Sequence, residues 1–489
     1  MPCLFRRLST LPRRGDKKQV NAPTLWIILP LVFSGMLLPL TRWKRVATSI
    51  GSVLALVLAV LAWLLPVGEL FRLGILTIEI QPSWVLFGRG FFLESSDRPL
   101  MIILNLALAF WFIGASSIDV HPLFIPLGMG MNAVLSAAIL VQPLYYGTIL
   151  FLLAGLIGVV LFVSESRAVH LGVKRFWIFQ SLAMPLLLLG GWLLSGTEAN
   201  PGGIPGAFFI YVLLLLGFSL LLSGVPFQSW LPMVAERINP YIFSFAFFVT
   251  SFVALLFSLT FLRQYPWLYS SSWLVIFFSF QGFLLTLLGG VGAIYHRHLG
   301  RFMGYALMKE IGVSFLIIGL GLIARDRPLT HAILFMQILP RGIALALLAL
   351  AYNIYRDHGR TLQIQQIMGV GRAFPFATLA YLVAMLTLAG FPLTGAFPVH
   401  LLIWQGWFQQ YPLIAFGGIF GSVGVLIGGL RALAVLVRSG EEQIKAAREP
   451  LHLILLLTAA SALLLLMGIV PQAFFPLLYQ MGVTFLQGG

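Results

Sequence analysis

Charge is scarce in this chain. Only 9% of its 489 residues are Asp, Glu, Lys or Arg, while 60% are hydrophobic and the mean hydropathy is +0.98. A soluble domain cannot dispose of that much apolar surface, so the composition defines a polytopic membrane protein. Acid is scarcer than base, 15 residues against 30. The net charge of +15 therefore has a membrane explanation before a nucleic-acid one: basic residues sit in loops and hold orientation. The single cysteine, Cys3, excludes an internal disulfide framework. There is no CxxC, HExxH, P-loop or serine elbow. No metal, flavin, NADH or iron–sulfur site is legible, and no cofactor is expected in this chain. His296 and His298 form an HxH pair in the loop YHRHLGR, which reads as a charged loop rather than a metal site.

What is abundant is long apolar runs. Runs of about 17–25 residues predict spans over 24–41, 46–66, 99–117, 121–142, 145–164, 175–195, 206–225, 240–262, 272–295, 302–323, 329–354, 373–408, 411–437 and 450–470, fourteen in all. Residues 1–23 read as a basic tail with no cleavage pattern behind the first apolar run, so that run is taken as a retained span; an over-long start is the alternative. The stretch 24–98 holds two spans and an extracytoplasmic hairpin, Ile75–Ile80 with Val85–Phe92. The core is 99–437, and 438–489 a final span with a tail too short for a long lateral helix.

Loops after odd-numbered spans carry fifteen basic residues and the opposite loops six, which places both termini outside the cytoplasm. The six basic residues of the tail argue the other way.

Two spans contain breakers. Leu213–Pro240 is interrupted at Gly224 and Pro226 and resumes through Gln228 to Pro232. The over-long run 373–408 carries Gly390 and Pro392. Proline and glycine free backbone groups that lipid cannot satisfy, so each break must face protein or water. The first reads either as a loop between two ordinary spans or as a discontinuous helix of the kind that builds polar sites at mid-membrane. Inside spans fall Lys309, Arg341, Arg431, Glu310 and His400. A charge at bilayer depth costs about 3 kcal/mol on insertion scales, which makes Lys309, Glu310, Arg341 and His400 pathway candidates. The structural alternative is simple pairing: Lys309 and Glu310 are neighbours on different helix faces, each paired to another helix, and Arg431 snorkels to the surface.

These residues resemble the antiporter-like membrane subunits of respiratory complex I, membrane-bound hydrogenases and Mrp-type cation/proton antiporters. Gly217-Phe218-Ser219 through Val225-Pro226-Phe227-Gln228-Ser229-Trp230-Leu231-Pro232 is similar to the family's GFxxK…xPFHxWLP. Arg301–Tyr305 to Ile311-Gly312 resembles KRLLAYSSxxHLG, and Arg372 through Leu388-Ala389-Gly390-Phe391-Pro392 to His400 resembles MPxxxxxFxxxxLSLAGLPPxxGFxxK. The resemblance covers about 100–435 and implies an all-α fold of two inverted five-helix repeats with helices seven and twelve broken.

The departures fall in the N-terminal half. The family's charged pair, a glutamate on the fifth helix and a lysine on the seventh, is missing: span 145–164 has no acidic residue, and the lysine position falls on Leu221. The eighth-helix lysine falls near Ser251, and the histidine of the PFHxWLP turn is Gln228. Arg341 and His400 stand in for lysines of the C-terminal half. Arginine can set a field but not release a proton, whereas histidine titrates near neutrality.

The resemblance implies a cell (inner) membrane subunit of a complex I-like or Mrp-like assembly, with other membrane subunits as partners. It would take part in proton or cation translocation coupled to quinone-linked electron transport, with any redox site in partner subunits. A non-pumping structural subunit and a stand-alone secondary transporter are the alternatives.

Overall fold

The computed structural model describes residues 18–65, 67–68, 70–73, 76–166, 169–195, 207–269, 271–359, 361–438 and 449–487. Most of the predicted basic tail lies outside them, as do Ile75 and the loop cations Arg167, Arg360, Lys445 and Arg448.

Among the described residues the chain is a bundle of apolar helices, ten of them long and apolar enough to cross a membrane, or up to eleven if a bent pair is one span. Prolines start several of them: Pro240–Gln264, Pro375–Ala389 and Pro412–Val437 each begin on proline, where the missing N–H is not needed and φ is preset. Three helices are buried on nearly every face: Pro240–Gln264, Leu299–Ala324 and Arg327–Gly359. A helix apolar all round belongs inside the bundle. Outer helices such as Leu171–Ser195 and Leu451–Ile469 leave apolar stripes exposed, as lipid-facing helices do.

The strand material at 67–98 is present, with a different pairing from the single hairpin expected. Leu70–Leu73 and Leu76–Gln81 form one antiparallel pair, and Lys18–Asn21 adds a parallel strand to it. Ser83–Leu86 and Arg89–Phe92 form a second hairpin, extended by Val141–Gln142. Its two turn residues, Phe87 and Gly88, both have positive φ (49° and 72°), the twist a two-residue hairpin needs. The reading of 85–92 as one strand missed this turn because phenylalanine is a poor turn signal.

The short tail after 470 is itself helical over Pro471–Gln487. It docks on Arg327–Gly359 so closely that a Cβ on Gly482 would meet the Ala332 Cα at 2.6 Å. Arg263 closes its end by donating to the carbonyls of Phe485 and Leu486 at 3.2 and 3.0 Å.

Candidate functional site

The four in-span groups singled out by the sequence converge. Lys309 and Glu310 lie on Leu299–Ala324, Arg341 on Arg327–Gly359 and His400 on Phe397–Gln410. All four are buried. What draws them together is the break at Gly390. Pro375–Ala389 ends there because Gly390 adopts a left-handed conformation, φ 69°, and the last carbonyls of a helix have no partner of their own. The Gly390 and Phe391 N–H groups satisfy those of Thr387 and Leu386 at 2.9 Å each. Of the two carbonyls that remain, that of Leu388 accepts from the Lys309 Nζ at 2.8 Å.

Lys309 Nζ also donates to Glu310 Oε1 at 2.9 Å and lies 3.4 Å from His400 Nε2. Glu310 Oε1 is 3.6 Å from that same nitrogen. Lys309 and Glu310 each reach another helix, as the structural alternative had it, but they also pair with one another, which it did not include. Successive residues start about 100° apart, but both stems are long enough to bend to one polar spot. In apolar surroundings an ion pair between them is cheaper than two separated charges.

Two residues the sequence reading missed complete the cluster. Gln337 Nε2 donates to Glu310 Oε2 at 3.2 Å, and its Oε1 accepts from Ser314 Oγ at 2.8 Å. Ser314 Oγ in turn accepts from Arg341 Nη1 at 3.0 Å. The signal was there: Ser314 is four residues past Glu310, and Gln337 four before Arg341, so each polar residue sits one turn from a charge on the same face. Pro340 also went unread. It lies inside Arg327–Gly359 and cannot donate to the carbonyl one turn back.

The cluster holds one permanent cation, Arg341, with one titratable amine, one carboxylate and one imidazole. Arg341 Nε and Nη2 and His400 Nδ1 have no hydrogen-bond partner, though all are buried. His400 Nδ1 faces Gly390, where an added Cβ would stand only 1.7 Å from it. The missing side chain at Gly390 therefore serves both the left-handed turn and the seat of the imidazole.

The predicted break at 224–232 is real but chemically different. Helix Ala207–Leu221 stops, and the chain resumes as Trp230–Arg237. Gln281 clamps the gap: its Oε1 accepts from the Val225 N–H at 2.7 Å and its Nε2 donates to the Val225 carbonyl at 2.9 Å. Gln180 donates to the Leu221 carbonyl at 3.3 Å, and Trp230 Nε1 to Ser223 Oγ at 3.0 Å. Gly224 lies against Gln281, with 3.2 Å from an added Cβ to Gln281 Oε1. Pro226 precedes the short turn Phe227–Ser229, where Gln228 Oε1 is buried without a partner. Pro232 packs against Gly304 on the charged helix, 2.6 Å from where a Cβ would be. None of Gly224, Pro226, Gln228 or Pro232 joins the charge cluster. Pro392 is exposed in the turn after Gly390.

Beside this first break is a cavity of only about 20 Å³, lined by Leu221 and Ser251 together with Gly158, Gln180, Ser223 and Ile311. Leu221 and Ser251 are the positions where the resemblance puts lysines, and Gly158 comes from the span where it puts a glutamate. A space this size fits about one water. Among its lining residues none is ionisable. Ile311, next in sequence to Glu310, forms its wall on the charged helix.

Arg431 is not part of the cluster. It donates to the carbonyl of His296 at the loop end of its helix, as the snorkelling alternative required.

An apolar helical bundle with an ionisable cluster seated at a discontinuous helix defines a polytopic membrane protein of the antiporter-like type. The family profile described as NADH:quinone oxidoreductase/Mrp antiporter, TM, matches residues 150–428, more than half of the sequence. The chain belongs to that family. It is 28% identical over 333 residues to NADH-quinone oxidoreductase subunit N of Sphingopyxis alaskensis, covering 64% of this chain and 66% of that one. It is 24% identical over 452 residues to NAD(P)H-quinone oxidoreductase subunit 2 of Gloeobacter violaceus, covering 84% of each. Its fold is similar to a chain of respiratory complex I from Thermus thermophilus, with TM-score 0.73 at 19% identity over 96% of this chain and all of that one. A chain of the Mrp complex from Dietzia sp. DQ12-45-1b gives TM-score 0.74 at 15% identity over 95% and 98%.

Proposed function

We propose that the chain is a membrane subunit of a complex I-like or Mrp-like assembly, taking part in proton or cation translocation coupled to quinone-linked electron transport. The observation that carries this reading is the contiguous set Lys309, Glu310 and His400 at a helix break. A proton route needs groups that gain and lose protons within reach of one another, and these three lie 2.9, 3.4 and 3.6 Å apart pair by pair. Lys309, Glu310 and His400 are the exchanging groups. Arg341 sets the field and holds Glu310's surroundings through Ser314 and Gln337. Its unmet donors favour a solvated site, since a buried guanidinium without partners is costly.

In this reading ten full-length helices and three shorter apolar ones, with Pro375–Ala389 and Phe397–Gln410 taken together as one discontinuous span across the Gly390 break, make up fourteen spans. They form two inverted five-helix repeats in the inner membrane with both termini extracytoplasmic, and other membrane subunits as partners. The redox chemistry belongs to those partners. A second reading, a non-pumping structural subunit, draws on the neutral cavity of the first half.

The test is purification of the native complex in mild detergent, with mass spectrometry and reconstitution. Co-purification with iron–sulfur and quinone-site subunits, and loss of uncoupler-sensitive proton uptake in Lys309→Ala and His400→Ala, are the expected results. Unchanged uptake in both variants leaves only the structural reading.

A further inference from the structure

A polar pocket of about 750 Å³ opens at the loop end of the bundle. Arg297, Arg301, Arg431, His296, His298 and Glu236 line it. Glu236 is committed to Arg301, Oε2 to Nη2 at 2.8 Å. The remaining guanidiniums, Arg297 and Arg431, leave the pocket cationic. His296 is 97% buried, being 3% exposed, and its Nε2 has no hydrogen-bond partner. Its Nδ1 is turned to the Ala293 carbonyl, so Nε2 is the atom left for a ligand. Burial, with Arg431 and His298 nearby, holds this imidazole down to about 4, so it is neutral, and with its Nδ1–H given to Ala293 its Nε2 is a hydrogen-bond acceptor.

The pocket caps a helix pair that faces outward. Ser272–Tyr295 and Pro412–Val437 run side by side in the same direction at backbone contact: Cβ atoms on Gly424 and Gly428 would meet the carbonyls of Gly290 and Ala293 at 2.5 and 2.1 Å. Further along the same pair lies an apolar groove of about 510 Å³, lined by Phe283, Leu287, Leu413, Phe416, Phe420 and Val423. Phe420, Ile427 and Arg431 are exposed at spacings of seven and four residues, so Arg431 ends the apolar stripe that lines the groove. Tyr295, 75% exposed, stands at the same level, where interfacial aromatics anchor.

We propose that this pocket and groove bind one anionic phospholipid, its phosphate held by Arg297 and Arg431, a headgroup hydroxyl donating to His296 Nε2, and an acyl chain lying along Phe420 and Leu287. Charge complementarity selects the headgroup, and the continuous apolar stripe selects a lipid over a free anion. The site is separate from the ion pathway.

The test uses the full chain in mild detergent, titrated with phosphatidylglycerol or phosphatidylcholine and followed by thermal unfolding and native mass spectrometry. Phosphatidylglycerol is expected to be retained and stabilising, and phosphatidylcholine not. Arg431→Gln and Arg297→Gln are each expected to weaken the effect about fivefold, as loss of one basic residue near an anionic surface implies. Arg438→Gln, outside the pocket, should leave it unchanged, as should Lys309→Ala. Arg297 is exposed, so its variant decides the matter if Arg431→Gln does not fold. Equal stabilisation by the two lipids, unaltered binding in Arg297→Gln, or equal stabilisation by inorganic phosphate alone would overturn the proposal.

Discussion

Two breaks in two helices solve one problem in different ways. At 222–229 the freed backbone is met by neutral groups, chiefly the Gln281 amide, which satisfies both the N–H and the carbonyl of Val225. At 390–396 the freed Leu388 carbonyl is met by an ammonium, Lys309 Nζ. An amide clamp is complete in itself and carries no charge to move. An ammonium brings a charge into the bundle, and that charge requires Glu310 beside it. The same backbone device is thus a closed joint in the first half and the seat of an ionisable cluster in the second.

Substitutions can sharpen this contrast. The largest effect is expected for Glu310→Gln, which leaves Lys309 and Arg341 buried with no carboxylate. Breaking a buried pair by removing one partner costs about 3–5 kcal/mol, visible as a fall in thermal stability in detergent together with loss of ion flux. Gly390→Ala should come next. It forces a side chain into a left-handed backbone and onto the His400 ring, costing about 1–3 kcal/mol and lowering flux because the imidazole must move. Gln281→Leu leaves two backbone groups of Val225 without partners, at about 1–3 kcal/mol; flux per folded molecule should stay at the unchanged protein's level. If flux fell with it, the first break would not be a passive joint. Ser251→Ala should do least. Its hydroxyl donates only to the Phe248 carbonyl of its own helix, at 3.2 Å, so stability should shift by about 1 kcal/mol or less, with flux unaltered.

Much of this contrast could be read in the sequence because expensive residues are informative in an apolar chain. Glycine and proline inside long apolar runs located both breaks, and the few charges within spans located the cluster. The pairing of Lys309 with Glu310 could not be read, because helix phase separates neighbours while side-chain length reunites them. Ser314 and Gln337 were passed over because neutral polar residues are common in spans; only their one-turn spacing from Glu310 and Arg341 set them apart. The Gln281 clamp was invisible for another reason. It closes a break 56 residues away, and no local pattern predicts which helix will supply the amide. The helix Pro471–Gln487 was not read because its two prolines and its glutamines weaken the apolar signal that its packing on Arg327–Gly359 restores.

The central claim is that ion movement uses the second break and not the first. The most direct measurement is uncoupler-sensitive proton uptake by the purified native assembly in proteoliposomes, comparing Lys309→Ala with Ser251→Ala at equal subunit content. The account predicts that uptake falls on the order of a hundredfold in Lys309→Ala and is unchanged in Ser251→Ala. Full uptake in Lys309→Ala, or loss of uptake in Ser251→Ala, would contradict it.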